Sequence, residues 1–171
     1  MKLDRRHFLR HAGLAAGALL VRPRLVWADT APLSEAARAA LSESPLVYIS
    51  PLKKNGAEST CHGEVWFVTD GDDVLLCTGA KGWRARAVKA GLDRARLWVG
   101  DFGVWKTAGG KFREAPTFDA TAVLEADAAA RESALEAFGK KYPDEWSKWG
   151  PRFRDGLADG SRELVRYAPI A

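Results

Sequence analysis

The stretch Gly63-Glu-Val-Trp-Phe-Val-Thr-Asp-Gly-Asp-Asp-Val-Leu-Leu-Cys-Thr-Gly-Ala-Lys-Gly-Trp-Arg-Ala-Arg86 decides the fold. β-Branched and aromatic residues run through 62–69 and again through 73–78, and Asp70-Gly71-Asp72 between them is tight-turn chemistry. Two strands joined as a hairpin are predicted. The second strand ends at Cys77-Thr78. A glycine-bearing turn then feeds a short basic helix that starts near Trp83 and closes at Gly91. If Asp70 pairs with Asp73, Cys77 lies opposite Trp66, and Cys61 falls roughly 16 Å further along at about 3.3 Å per strand residue. A disulfide needs Cα atoms within about 7 Å. Cys61 and Cys77 are therefore predicted to be free thiols, one of them buried in a strand. Together with His62 they show no repeated ligand spacing, so no metal site is predicted. A satisfied or solvent-facing role is expected for His62.

Outward from this stretch the chain alternates short strands with a few helices. Residues 32–42 carry helical periodicity with Pro32 at the start, and Ser44-Pro45 ends the unit. Leu46-Val-Tyr-Ile-Ser50 suits a strand, and Pro51 to Gly56 is turn chemistry. Further strands are expected at 94–100, 117–125 and 163–168. Residues 101–111 read as a glycine-rich loop with a short strand at Val104-Trp105-Lys106. A helix is expected from Asp127, a possible cap, to Lys141. The aromatic segment 141–151 reads as irregular. About six short strands separated mainly by turns argue for a mainly β fold, a small antiparallel barrel with peripheral helices, rather than a doubly wound sheet.

The N-terminus carries Asp4-Arg5-Arg6-His7-Phe8-Leu9-Arg10 followed by an apolar run to Val21. The run is shorter than the roughly 20 residues a membrane anchor needs. Arg5 and Arg6 with this run read as a twin-arginine export signal over residues 1–28, cleaved after Ala28. The expected organisation is that signal, a helical segment at 29–44 and one domain at 45–171. The implied location is periplasmic or otherwise exported, with the twin-arginine machinery as a partner and no stable membrane anchor. The first 28 residues hold six basic side chains and one acid, which leaves 20 basic and 21 acidic residues after them. The basic pI of the whole chain is thus a property of the leader, and nucleic acid is not an expected partner.

Chemistry concentrates after the second hairpin strand. Thr78 offers a hydroxyl, Gly79 and Gly82 offer open backbone, and Lys81, Arg84 and Arg86 offer cations, a set suited to phosphate. Arg84 and Arg86 stand two apart and point to different sides of a helix. The plain alternative is a solvated basic helix face. No nucleophile–base pair or carboxylate dyad stands out, which disfavours hydrolase chemistry.

Val65-Trp66-Phe67, the Asp70-Gly71-Asp72 turn, Thr78 and the run Gly82-Trp83-Arg84-Ala85-Arg86 resemble the flavin-binding split-barrel superfamily. It includes the pyridoxamine-phosphate-oxidase-like and deazaflavin-dependent proteins. Leu46 to Ser50 with Lys53 to Gly56 looks like that family's first strand and turn, so the resemblance covers roughly residues 45–100. It implies a split β-barrel, a homodimer and a flavin-type nucleotide at the interface, FMN or the deazaflavin F420, acting on a small-molecule substrate. It implies phosphate contacts from Thr78, Arg84 and Arg86, with Lys81 and Gly82 in the same turn and Trp66 beside the ring or in the core. Gly82 stands where the family often has Ser, and Arg84 where Lys is common, which removes one hydroxyl and changes the geometry of one cation. Three functions follow as expectations: a flavin-type redox enzyme, a non-catalytic module holding haem or another cofactor, or a cofactor-free dimeric protein. Haem ligation would rest on His62 or on a Cys, Tyr or Lys.

Overall fold

The computed structural model describes residues 32–171. Arg5, Arg6, the apolar run and the cleavage point after Ala28 lie outside the described residues. Helix α1 (Glu35–Glu43) is capped by Ser34, whose Oγ accepts a hydrogen bond from the Ala37 amide at 3.1 Å. Such a cap contributes about 1 kcal/mol. Seven strands follow: β1 (Val47–Pro51), β2 (Gly63–Val65), β3 (Val68–Asp70), β4 (Asp73–Gly79), β5 (Arg94–Val99), β6 (Thr117–Leu124) and β7 (Arg162–Pro169). They form one sheet in the order β2-β1-β5-β6-β7-β4-β3, and every ladder is antiparallel. The two outer strands, β2 and β3, are consecutive in the chain, with Trp66 and Phe67 between them. The sheet therefore curls until its ends meet, and the result is the split barrel that the sequence predicts.

Alternation along the strands sorts the core. Val47, Ile49, Val74, Leu76, Leu97, Val99, Val165 and Tyr167 share one cluster, which also takes Leu33, Ala37 and Leu41 from the α1 region. Leu75, Cys77 and Leu164, on the other face of β4 and β7, pack beneath α3 (Ala128–Lys141) and α4 (Pro143–Asp159) with Phe138, Tyr142 and Phe153. A third cluster, Tyr48, Trp98 and Phe112, lies under the segment that follows β5. Helix α2 (Trp83–Lys89) runs from the end of β4, and its Trp83 and Val88 pack against the first cluster.

The predicted hairpin is shorter than its pattern. Only Val68–Asp70 pairs with Asp73–Leu75, through Asp70 opposite Asp73, and Gly71 takes the left-handed conformation (φ 63°) the turn requires. β2 breaks away and pairs with β1 instead. The β3–β4 ladder therefore stops at Val68–Leu75 and does not reach the predicted Trp66–Cys77 pair, while on its other side Cys77 pairs with Leu164 of β7. The break is pinned by one distant residue. The Phe67 amide donates to the Tyr142 hydroxyl at 3.0 Å, and that hydroxyl lies 2.8 Å from the Phe67 carbonyl oxygen and 2.9 Å from that of Pro45. Both thiols are free, Cys61 exposed and Cys77 buried.

Three further expectations change. The barrel has seven strands, because the 62–69 run is two. Val104–Lys106 is not a strand but a series of turns, followed by a 3-10 turn at Lys111–Glu114. The segment expected to be irregular after Lys141 is α4, seventeen residues long and opened by Pro143 in its first turn. Its aromatic residues supply a helical stripe that the Pro151 and Gly150 signals mask.

Candidate functional site

The β4–α2 turn is held at both ends. The Gly82 amide donates to the Gly79 carbonyl at 2.8 Å, and the Ala80 amide to that of Ser161 at 2.8 Å. Thr78, next to last in β4, stands opposite Glu163 and is 7% exposed. A Cβ at Gly82 would stand 3.0 Å from the Gly79 carbonyl oxygen and 3.5 Å from the Thr78 Oγ1. A serine there would crowd the turn, which gives Gly82 a local reason independent of any ligand. Lys89 at the far end of α2 is tied to Glu163 at 2.7 Å.

Arg84 turns across the barrel mouth. Its Nη2 donates to the Glu64 carbonyl of β2 at 3.1 Å, and its Cζ lies 4.4 Å from the Trp83 ring centroid. Gly63 leaves the room this needs, since a Cβ there would stand 2.8 Å from that Nη2. The Nε of Arg84 is buried with no hydrogen-bond partner. Among the described residues no carboxylate forms an ion pair with Arg84. Burial pushes its pKa down, with only partial relief from Tyr167 and Glu64. Tyr167 faces the same interior, and its phenol is pushed up to about 12 by burial, against the opposing charge of Arg84. A guanidinium withdrawn from water and unmatched by an acid is a costly arrangement that an anion would relieve.

The remaining predicted residues do not all gather here. Thr78 and Gly82 are adjacent. Lys81 and Arg86 are exposed. Trp66 packs in the cluster under α3 and α4, stacked on Tyr142 with ring centroids 4.5 Å apart and planes 8° from parallel. Core packing is the role this geometry displays. His62 tilts against Trp105 at 5.6 Å, and its Nδ1 is buried without a partner. Burial first, then Arg113, lowers its pKa, with Glu58 opposing, so the imidazole is held neutral. Among the described residues no group of three or more His, Cys, Asp or Glu is placed to hold a metal ion. No helix among them is long and apolar enough to cross a membrane.

An open cleft of about 420 Å³ lies elsewhere, on the outer face of β5 and β6. Its charges are spent on one another. Arg96 pairs with Asp119 at 2.7 Å, Arg113 with Glu58 at 2.6 Å, and Arg96 also approaches Glu58 at 3.7 Å. It offers an anion no unmatched cation, unlike Arg84.

Sequence reasoning missed Glu64, Tyr167, Tyr48 and Tyr142. Each works through backbone or side chains far away in the chain, and no local pattern marks such a contact.

No family model matches the chain, and no curated protein of similar sequence is found. Its fold is matched among solved structures. HutZ, the heme storage protein of Vibrio cholerae, is similar at a TM-score of 0.55 and 18% identity, over 82% of this chain and 92% of that one. An F420 reductase is similar at 0.51 and 14% identity, over 81% and 97%. A Listeria innocua protein assigned to the pyridoxamine 5'-phosphate oxidases is similar at 0.51 and 14% identity, over 78% and 90%. At these identities the likeness is one of fold.

Proposed function

From a split-barrel fold shared with a heme storage protein, a protein assigned to the pyridoxamine 5'-phosphate oxidases and an F420 reductase, we propose that this chain is an exported redox protein that binds a phosphate-bearing flavin, FMN or a deazaflavin. The observation that carries the reading is Arg84, a guanidinium drawn into the barrel mouth with a buried, unpartnered Nε and, among the described residues, no acid paired to it. The residues present fit the anionic part of such a group. Arg84 supplies fixed positive charge, the Thr78 hydroxyl a donor, and Lys81 and Arg86 exposed cations that draw an anion toward the turn. Gly79 leaves the turn open, since nothing lies within 4 Å of where its Cβ would stand. A bound flavin supplies the hydride chemistry, and the protein's task is to bind and orient it. Pairing into a homodimer and export through Arg5 and Arg6 belong to the same proposal, with a small molecule as substrate.

The test is the visible spectrum of the purified protein, followed by titration with FMN and with the deazaflavin. Binding of either is expected, weakened about tenfold or more in Arg84→Gln and in Thr78→Val. A colourless protein that takes up neither cofactor overturns the reading. Unchanged affinity in folded Arg84→Gln overturns the role of that residue.

One observation favours a second reading, a haem-binding module. His62 is the single histidine among the described residues, and its burial keeps the imidazole in the neutral form that metals bind. A Soret band on haem addition that is lost in His62→Ala would select this reading over the first.

A further inference from the structure

Among the described residues the exposed large apolar side chains are Leu92, Phe102 and Val104, at 38%, 37% and 53%. Two of these three share one loop, on either side of Gly103, whose φ of 69° turns the chain at that point. The loop is held firmly. The buried Tyr48 hydroxyl accepts from the Phe102 amide at 2.8 Å and donates to the Gly103 carbonyl at 2.6 Å. Asp101 Oδ1 accepts from the Gly103 amide at 3.1 Å, and Glu64 Oε2 from the Trp105 amide at 3.1 Å. The Val104 carbonyl accepts from the Thr107 and Ala108 amides, each at 3.0 Å. The backbone is thus held so that Val104 projects outward, while Phe102 lays part of its ring over Gly100 and against Tyr48, with centroids 5.9 Å apart, and leaves its remaining 37% open to solvent.

The surroundings identify what the tip suits. Behind it Trp105 is half-buried, and Lys106 places its Nζ 6.0 Å from the Trp105 ring centroid. Lys106 and Lys111 of the same segment are exposed and form no ion pair among the described residues. Apolar side chains at a turn, an indole behind them and unpaired lysines alongside match the layers of an anionic lipid surface. A tip of two side chains enters a deformable lipid layer more readily than a protein, which would need a matching socket. We propose that the loop 101–107, with Lys106 and Lys111, docks the protein reversibly on anionic membrane surfaces. This inference is independent of the cofactor reading.

The experiment is co-sedimentation of the full chain with phosphatidylglycerol vesicles and with phosphatidylcholine vesicles. Binding to the anionic vesicles is expected, decreasing as salt rises. Phe102→Ser combined with Val104→Ser should weaken that binding by about tenfold. Lys106→Glu combined with Lys111→Glu should abolish the preference for anionic lipid. Val104 and the two lysines are exposed and Phe102 is only partly packed, on Tyr48, so Val104→Ser alone serves as a second variant if the circular dichroism spectrum shows that the double variant has lost its fold. Equal sedimentation of the wild type and the apolar double variant overturns the proposal, as does absence of binding by either. A double variant that changes the elution volume but not vesicle binding also overturns it and assigns the tip to contact between copies.

Discussion

Single atoms decide how the barrel closes. Tyr142 is the plainest case, since its hydroxyl serves the amide of Phe67 and reaches the carbonyls of Phe67 and Pro45 where the strand pattern stops. Tyr142→Phe should leave buried backbone groups unsatisfied and cost about 1–3 kcal/mol, read as a lower urea midpoint. A midpoint equal to wild type would mean that another group takes over. Lys141 is its neighbour in the chain, and its Nζ lies 3.3 Å from the Phe67 ring centroid. Burial holds its pKa down at about 8, while the ring face favours the ammonium and opposes that shift. With the folded pKa below that of the unfolded chain, the unfolded state binds more protons between about 8 and the ordinary lysine value. Stability should therefore rise with pH across that window, and Lys141→Met should flatten the rise. A slope that Lys141→Met leaves unchanged refutes the assignment. Cys77, buried and pushed up to about 11, should react with thiol reagents far more slowly than exposed Cys61.

At the scale of elements, α3 and α4 meet through glycine and tryptophan. A Cβ at Gly139 would stand 2.8 Å from Trp146 Nε1, and one at Gly150 2.9 Å from its Cε2. Trp146 cannot swing away freely, because Phe138 stacks on it and Phe153 meets it edge-on. Helix propensity alone favours Gly139→Ala by about 1 kcal/mol. Overpacking against a confined indole costs about 1–3 kcal/mol, so the variant should be less stable. Thermal unfolding at a higher temperature than wild type would overturn this. These elements also mark how far local pattern reaches. Helix α3 was legible from the Asp127 cap, whose Oδ1 accepts from the Ala130 amide at 2.8 Å. Strands β5, β6 and β7 were legible from β-branched and apolar runs. Helix α4 was not, since Gly150 and Pro151 are breaker signals, and the aromatic packing that overrides them involves α3.

At the scale of the molecule, β2 and β3 are the two ends of the sheet and yet consecutive in the chain, so the sheet must curl to bring them near each other. That closure sets the face each residue serves. The turn that sets Thr78 beside Gly82 was legible because a strand end, a glycine turn and a helix start are local events. The direction of Arg84 was not, because its partner carbonyl, Glu64, sits on a strand that joins the opposite edge of the sheet. Trp66 likewise reads in sequence as either a ring-side or a core residue, and only in space does it pack on Tyr142.

The sequence by itself determined the fold class, the strand-turn-helix run from β4 into α2, the free cysteines and the concentration of cations after Thr78. Periodicity, turn residues and composition act over a few residues, and those features need no more. Only the tertiary structure decided that the hairpin strand breaks at Trp66-Phe67, that Arg84 crosses the barrel mouth with no acid paired to it among the described residues, and that Val104 stays outside while Phe102 rests partly on Tyr48. Those outcomes depend on a hydroxyl, a carbonyl and a carboxylate from distant segments, and only closing the barrel brings them within bonding range.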